Sequence, residues 1–171
     1  MTEAEFREAY QRHKNVLYRF AWRMTGSGAS AEDIVHDCFL ALWRKPSAYD
    51  PSRGTLRAFL LGVVRNLVLK HLRDDRPAEP LEDETSICGP IDIAGRERAE
   101  CVARAVAKLP PLQRETLILA EYEELALEEI ARITQAEVPA VKSRLHRARQ
   151  NLRRMLEPLL KTKGTIYGTN G

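Results

Sequence analysis

Apolar residues recur at helical spacing along most of this 171-residue chain. Phe6, Tyr10, His13, Leu17, Phe20 and Met24 alternate between spacings of four and three, which puts them on one face of a helix. Thr2 and Glu5 stand where a capping box would start it, and Gly26-Ser27-Gly28 ends it. Ser30 is the expected N-cap of a second helix, whose wide apolar stripe is Ile34, Val35, Cys38, Phe39, Leu42 and Trp43. Tyr49 to Gly54 reads as a loop from its Asp, Pro, Ser and Gly residues. Thr55 then caps a third helix to about Asp74, with Leu56, Leu60, Val63 and Leu67 turned inward. Asn66, Lys70 and Arg73 share a different face of it.

The periodicity stops over residues 77–94, which hold three prolines and mixed acids and read as a linker. It resumes near Gly95 with Val102, Ala105, Val106 and Leu109. Pro110-Pro111 breaks the chain, and Pro111 suits the first turn of the next helix. Leu127, Ile130 and Ala131 mark a short helix, Gln135-Ala136 a turn, and Val138 to Leu156 a long final helix. Short helix, tight turn and longer helix make the order of a helix-turn-helix. The tail over 161–171 carries no such pattern. The chain therefore predicts an all-α protein with two small helical domains, 1–76 and 95–160. A flexible acidic linker joins them, and the second contains the helix-turn-helix.

Charge sharpens this picture. The net charge is only +3, but Lys142, Arg144, Arg147, Arg149, Arg153 and Arg154 fall in one stretch without an acid. Asp74 to Glu84 holds six acids and one base. Val141, Leu145, Ala148, Leu152 and Leu156 give the last helix an apolar seam for docking, leaving its cations for a major groove. A basic helix also suits membranes or acidic proteins; the short helix before the turn favours DNA.

Composition excludes other classes. With 44% hydrophobic and 30% charged residues, a packed core is expected and global disorder is not. The acidic, amphipathic start is unlike a signal peptide, and the apolar runs are too short to span a bilayer. Cys38, Cys88 and Cys101 form no CxxC pair and cannot all pair with one another, so a reducing cytoplasm is the simplest location. Cys38 and Cys101 read as small core residues. His13, His36, His71 and His146 are scattered, and no metal, cofactor or small-molecule substrate is expected. No P-loop, glycine fingerprint or Ser-His-Asp order is present. A nucleic-acid hydrolase would have to use Asp74, Asp75 and Glu79, in the linker region.

Two stretches resemble the extracytoplasmic-function group of bacterial sigma factors. Ala31 to Trp43, AEDIVHDCFLALW, is similar to that group's AEDLVQExFLxxW segment, and Phe59 to Asn66 follows at the expected distance. Leu109 to Glu115, LPPLQRE, resembles its LPxxxRE segment; Glu129-Ile130-Ala131 and Val141 to Arg149, VKSRLHRAR, resemble its helix-turn-helix. The likeness covers roughly 5–157.

That resemblance implies core RNA polymerase, promoter DNA and an anti-sigma factor as partners, without membrane insertion or catalysis. Asp33, Asp37, Phe39, Leu42 and Trp43 would contact polymerase, although Phe39 and Trp43 equally fit core packing. Tyr49, Asp50, Ser52, Arg53, Thr55, Arg57, Arg65, Asn66, Lys70 and Arg73 would read the −10 element, where a flipped base needs a polar pocket and nearby cations. Lys142, Ser143, Arg144, His146, Arg147 and Arg149 would read the −35 duplex. The acidic linker would thread near the polymerase active centre; its composition equally fits a plain tether. A second reading is a sigma-like interaction module that sequesters an anti-sigma factor.

The chain departs from the family pattern at Thr134-Gln135-Ala136-Glu137, where relatives have Leu-Gly, a small apolar residue and Ser. Gln135 must then take a turn position where glycine is usual. Val138, Pro139 and Ala140 bring no hydrogen-bonding side chains to the start of the recognition helix. Phe59 stands where tryptophan is frequent, and His36 where glutamine is.

Overall fold

The computed structural model describes residues 1–75 and 95–159, and among them no strand occurs. The predicted linker over 77–94 and tail over 161–171 lie outside the described residues. The first half holds α1 (Glu3–Thr25), α2 (Gly28–Arg44) and α3 (Leu56–Asp74). The second holds α4 (Gly95–Lys108), α5 (Pro111–Leu117), α6 (Leu127–Thr134) and α7 (Val138–Met155).

Local chemistry sets most boundaries. The Glu5 amide donates to Thr2 Oγ1 at 3.2 Å and the Thr2 amide to Glu5 Oε2 at 2.6 Å, completing the capping box of α1. Gly26 ends α1 in the left-handed region, at φ 69°. Ser27 caps α2, accepting from the Ser30 amide. Ser30, the expected cap, is therefore already inside the helix. One left-handed residue at Gly26 reverses the chain and leaves the next side chain to cap. Thr55 caps α3 through the Ala58 amide, and Pro111 opens α5, both as the sequence predicts.

A five-residue π-helical turn, Ile118–Tyr122, interrupts the path from α5 to α6 and was not legible in the apolar spacing. Glu121 then points to α7 while Glu123 points into the molecule. Gln135 adopts φ 53°, ψ 42°, and the Ala136 amide donates to the Ala131 carbonyl across the turn. The left-handed turn is thus made by glutamine, as the departure from the family pattern requires.

Leu17, Phe20 and Met24 are fully buried, whereas Phe6, Tyr10 and His13 are not. The amino-terminal half of α1 instead walls an open groove against α2. On α3 the buried residues are Leu60, Leu61, Val64, Arg65 and Val68; Leu56, Val63 and Leu67 of the expected inward stripe are half-buried. Two faces of α3 are covered, because α1 and α2 pack on one side and α6 on another. The buried apolar residues of both halves consequently form one continuous cluster, from Leu17 and Leu60 to Ile130 and Val141. Cys38 is a buried free thiol, whereas Cys101, also buried, is disulfide-bonded rather than the reduced core residue expected. No helix among the described residues is long and apolar enough to cross a membrane.

Candidate nucleic-acid and partner interfaces

Three surfaces carry the predicted site residues. On α2, Asp33, Asp37 and Trp43 are exposed, while Phe39 and Leu42 belong to the core. Trp43 leaves 47% of its surface in solvent and rests edge-on against Phe6, centroids 4.9 Å apart. Asp33 and Phe39 also line the groove between α1 and α2, about 670 Å³ in volume, with Tyr10, Lys14, His36 and Leu40. A groove of mixed apolar and charged lining, next to an exposed indole that packs on its Phe6, suits a protein partner with an apolar ridge and a polar rim.

The second surface runs from the Tyr49–Thr55 loop along α3. The Tyr49 hydroxyl donates to the Gly54 carbonyl at 3.2 Å, and its ring leans on Phe59. Asp50 accepts from the Ser52 amide and hydroxyl at 2.9 and 2.7 Å, and these bonds hold its carboxyl below the usual range. The loop is therefore ordered by its own side chains. Arg53, Asn66, Lys70 and Arg73 are exposed.

Arg57 and Arg65 lie elsewhere than on that open face. Arg57 donates to Glu123 at 2.9 Å, and Arg65 makes a two-point contact with Glu115 at 2.8 and 3.0 Å. Burial pushes the Glu115 carboxyl up, opposed by Arg65 and then Arg144. Neither acid was singled out from the sequence as a partner of α3. The only signal was Glu115 closing the LPPLQRE stretch, and its partner is 50 residues away.

The third surface is α7. Val141, Leu145 and Ala148 dock it on the preceding helices, with Leu152 half-buried. Asn151 also donates to Gln113 of α5 at 2.8 Å. Lys142, Ser143, His146 and Arg147 are exposed. Arg149 pairs with Glu121 of the π turn. Arg144 is half-buried beside Glu115, with Nη1 buried and unbonded. The outward set is thus narrower than the sequence suggested. Its first turn presents Val138, Pro139 and Ala140, which contribute no polar side chain to a groove. Among the described residues no cluster of three or more His, Cys, Asp or Glu could hold a metal.

Residues 9–77 match the Sigma-70 region 2 family and residues 99–152 the Sigma-70 region 4 family. The chain is 30% identical to the ECF RNA polymerase sigma factor SigL of Mycobacterium tuberculosis, across 91% of either chain. It is 28% identical to the ECF RNA polymerase sigma factor RpoE of Cereibacter sphaeroides, covering 88% of this chain and 86% of that one. It is 30% identical to SigE of Mycolicibacterium smegmatis over 85% of its own length, but spans only 59% of that protein. Among solved structures, the sigma factor RpoE bound to the anti-sigma factor NepR from Bartonella quintana shares the fold. Its TM-score is 0.69 at 24% identity, over 90% of this chain and 97% of that one. CnrH in complex with the cytosolic domain of CnrY gives 0.69 at 25% identity, over 94% and 90%. With both regions in order and 30% identity to a curated member over 91% of either chain, the chain belongs to the extracytoplasmic-function RNA polymerase sigma factors.

Proposed function

We propose that this chain binds core RNA polymerase and directs it to promoters, reading the −10 element with its first domain (1–76) and the −35 element with its second (95–160). The observation that carries this is α7: a helix docked by its apolar seam, with Lys142, Ser143, His146 and Arg147 facing outward behind a tight turn. Such a helix fits a major groove, its cations meeting phosphates and guanine edges. Arg149 reaches the same groove once it exchanges Glu121 for a phosphate, and Arg144 lies at its inner margin. On the first domain, the ordered Tyr49–Thr55 loop offers a polar pocket for an unstacked base, and Arg53, Asn66, Lys70 and Arg73 flank it. Asp33, Asp37 and Trp43 face polymerase directly, and Phe39 and Leu42 hold them in place from the core.

The chain's part in initiation is binding, with the chemistry left to polymerase, and its place is the cytoplasm. An anti-sigma protein is a further partner, since a solved sigma factor of this fold, RpoE from Bartonella quintana, is bound by the anti-sigma factor NepR. Run-off transcription with purified core polymerase tests the assignment. Promoter-dependent transcript supports it; binding to an anti-sigma protein without transcript favours the sequestering module instead.

A further inference from the structure

We propose that Glu121 restrains sequence-independent DNA binding by α7, because it holds Arg149 off the phosphate backbone. This rests on the reading of α7 as the helix that enters a major groove. Arg149 donates through Nε, at 2.8 Å, and through Nη2 to the same Glu121 oxygen, Oε1. The partners are 28 residues apart and belong to different elements. In solvent remain 55% of the Arg149 side chain and 46% of that of Glu121. An exposed pair of this kind adds little to stability. Its consequence is the cancelled charge.

Position makes that charge matter. Lys142, His146, Arg149 and Arg153 follow one another at spacings of four, three and four, so they share one stripe of α7. All four are exposed. The stripe flanks the buried seam of Val141, Leu145 and Ala148. Beyond the seam's other flank Asn151 bonds Gln113, so α7 is held against rotation from both sides. Arg149 lies about 10 Å along the axis from Lys142, at about 1.5 Å per residue. That is about two turns past the end that enters a groove, where a cation meets backbone rather than base edges.

The local backbone brings the carboxylate there. The turn Ile118–Tyr122 closes through the Glu123 amide on the Ile118 carbonyl, at 3.1 Å, which is wider than an α-helical turn. Ile118 and Leu119 stay in the core, Glu123 turns inward and Glu121 reaches α7. A duplex on α7 therefore brings a phosphate to a cation that already has a carboxylate. Binding must break the pair, and it leaves an uncompensated acid within about 8–10 Å of the phosphate, inside the screening length. On a promoter, base contacts by Ser143, His146 and Arg147 offset this cost. Random DNA offers phosphates alone, so the penalty falls on binding that reads no sequence.

The test is fluorescence anisotropy of the full chain with a random-sequence duplex of about 30 base pairs, from about 50 to about 200 mM salt. The variants are Glu121→Gln, Arg149→Gln and the two together, with Glu97→Gln on exposed α4 as the control for lost negative charge. Glu121→Gln should bind about threefold more tightly at the upper salt and about tenfold at the lower. Its slope of log affinity against log salt should steepen by about one unit, the mark of one more phosphate contact. The charge-balanced double variant should return to the wild-type slope, and the control should keep it. An unchanged slope in Glu121→Gln overturns the proposal, as does a steepening shared by the control or retained without Arg149. Thermal melts verify folding, and Glu121→Ala takes the place of Glu121→Gln if the latter unfolds. Lys142→Ala and Arg147→Ala are scored on the same duplex. If they weaken binding while Glu121→Gln changes nothing, α7 remains the DNA helix and only the restraint by Glu121 fails. If no variant alters binding, or the wild-type chain binds no duplex at about 20 mM salt, the reading of α7 fails and the restraint with it.

Discussion

Arg65 and Glu115 belong to different halves of the chain and meet in a two-point ion pair, at 2.8 and 3.0 Å, that water barely reaches. Such a pair holds position more than it adds stability, since desolvation offsets much of the attraction; removing one partner strands the other charge. Arg65→Ala should therefore cost about 3–5 kcal/mol. Urea unfolding checks it, and a loss below about 1 kcal/mol would place the pair in solvent.

Lys142→Ala and Arg147→Ala should each weaken promoter binding with near-wild-type thermal unfolding, because both side chains are exposed on α7. Each removed phosphate contact lowers the slope of log affinity against log salt by about one unit. Binding measured across a salt series distinguishes this from a base contact, which would instead relax sequence preference at one position. Two variants with wild-type affinity at every salt would remove α7 from the DNA interface.

Trp43→Ala should reduce affinity for core polymerase while the chain stays folded. The indole is 47% exposed and its visible packing is the edge contact with Phe6, worth about 1 kcal/mol. Phe39→Ala, by contrast, opens a cavity in the core and should cost about 3–5 kcal/mol. Comparing both variants in a polymerase pull-down and a thermal melt separates docking from packing; loss of fold in Trp43→Ala would assign it to the core.

Gln135→Gly should raise stability by about 1 kcal/mol, because a side chain at φ 53° carries a penalty that glycine lacks. A thermal melt gives the answer, and a lower melting temperature would show that the Gln135 side chain makes a contact worth more than the strain.

The Cys38 thiol is pushed by burial from an ordinary 9.0 to about 12. A raised thiol pKa favours the neutral folded form. Its contribution is thus full below pH 9.0 and is lost as pH climbs toward about 12. Near pH 8 Cys38 should resist a thiol-specific reagent in the native chain and react promptly in urea. Fast native labelling of Cys38, located by mass spectrometry, would contradict its placement in the core.

Local order was legible in the residues. Thr2 with Glu5, Thr55, Pro111 and Gly26 mark helix ends by interactions that span a few residues, so spacing alone exposes them. The seam of Val141, Leu145 and Ala148 and the turn at Gln135 were readable for the same reason. Tertiary structure decided which cations are available. Arg57, Arg65, Arg144 and Arg149 are indistinguishable from Lys142 and Arg147 in a one-dimensional pattern. They are engaged or turned inward because Glu123, Glu115 and Glu121 reach them from other helices. A charge's partner is set by distance in space, and periodicity along one helix carries no information about what packs across from it.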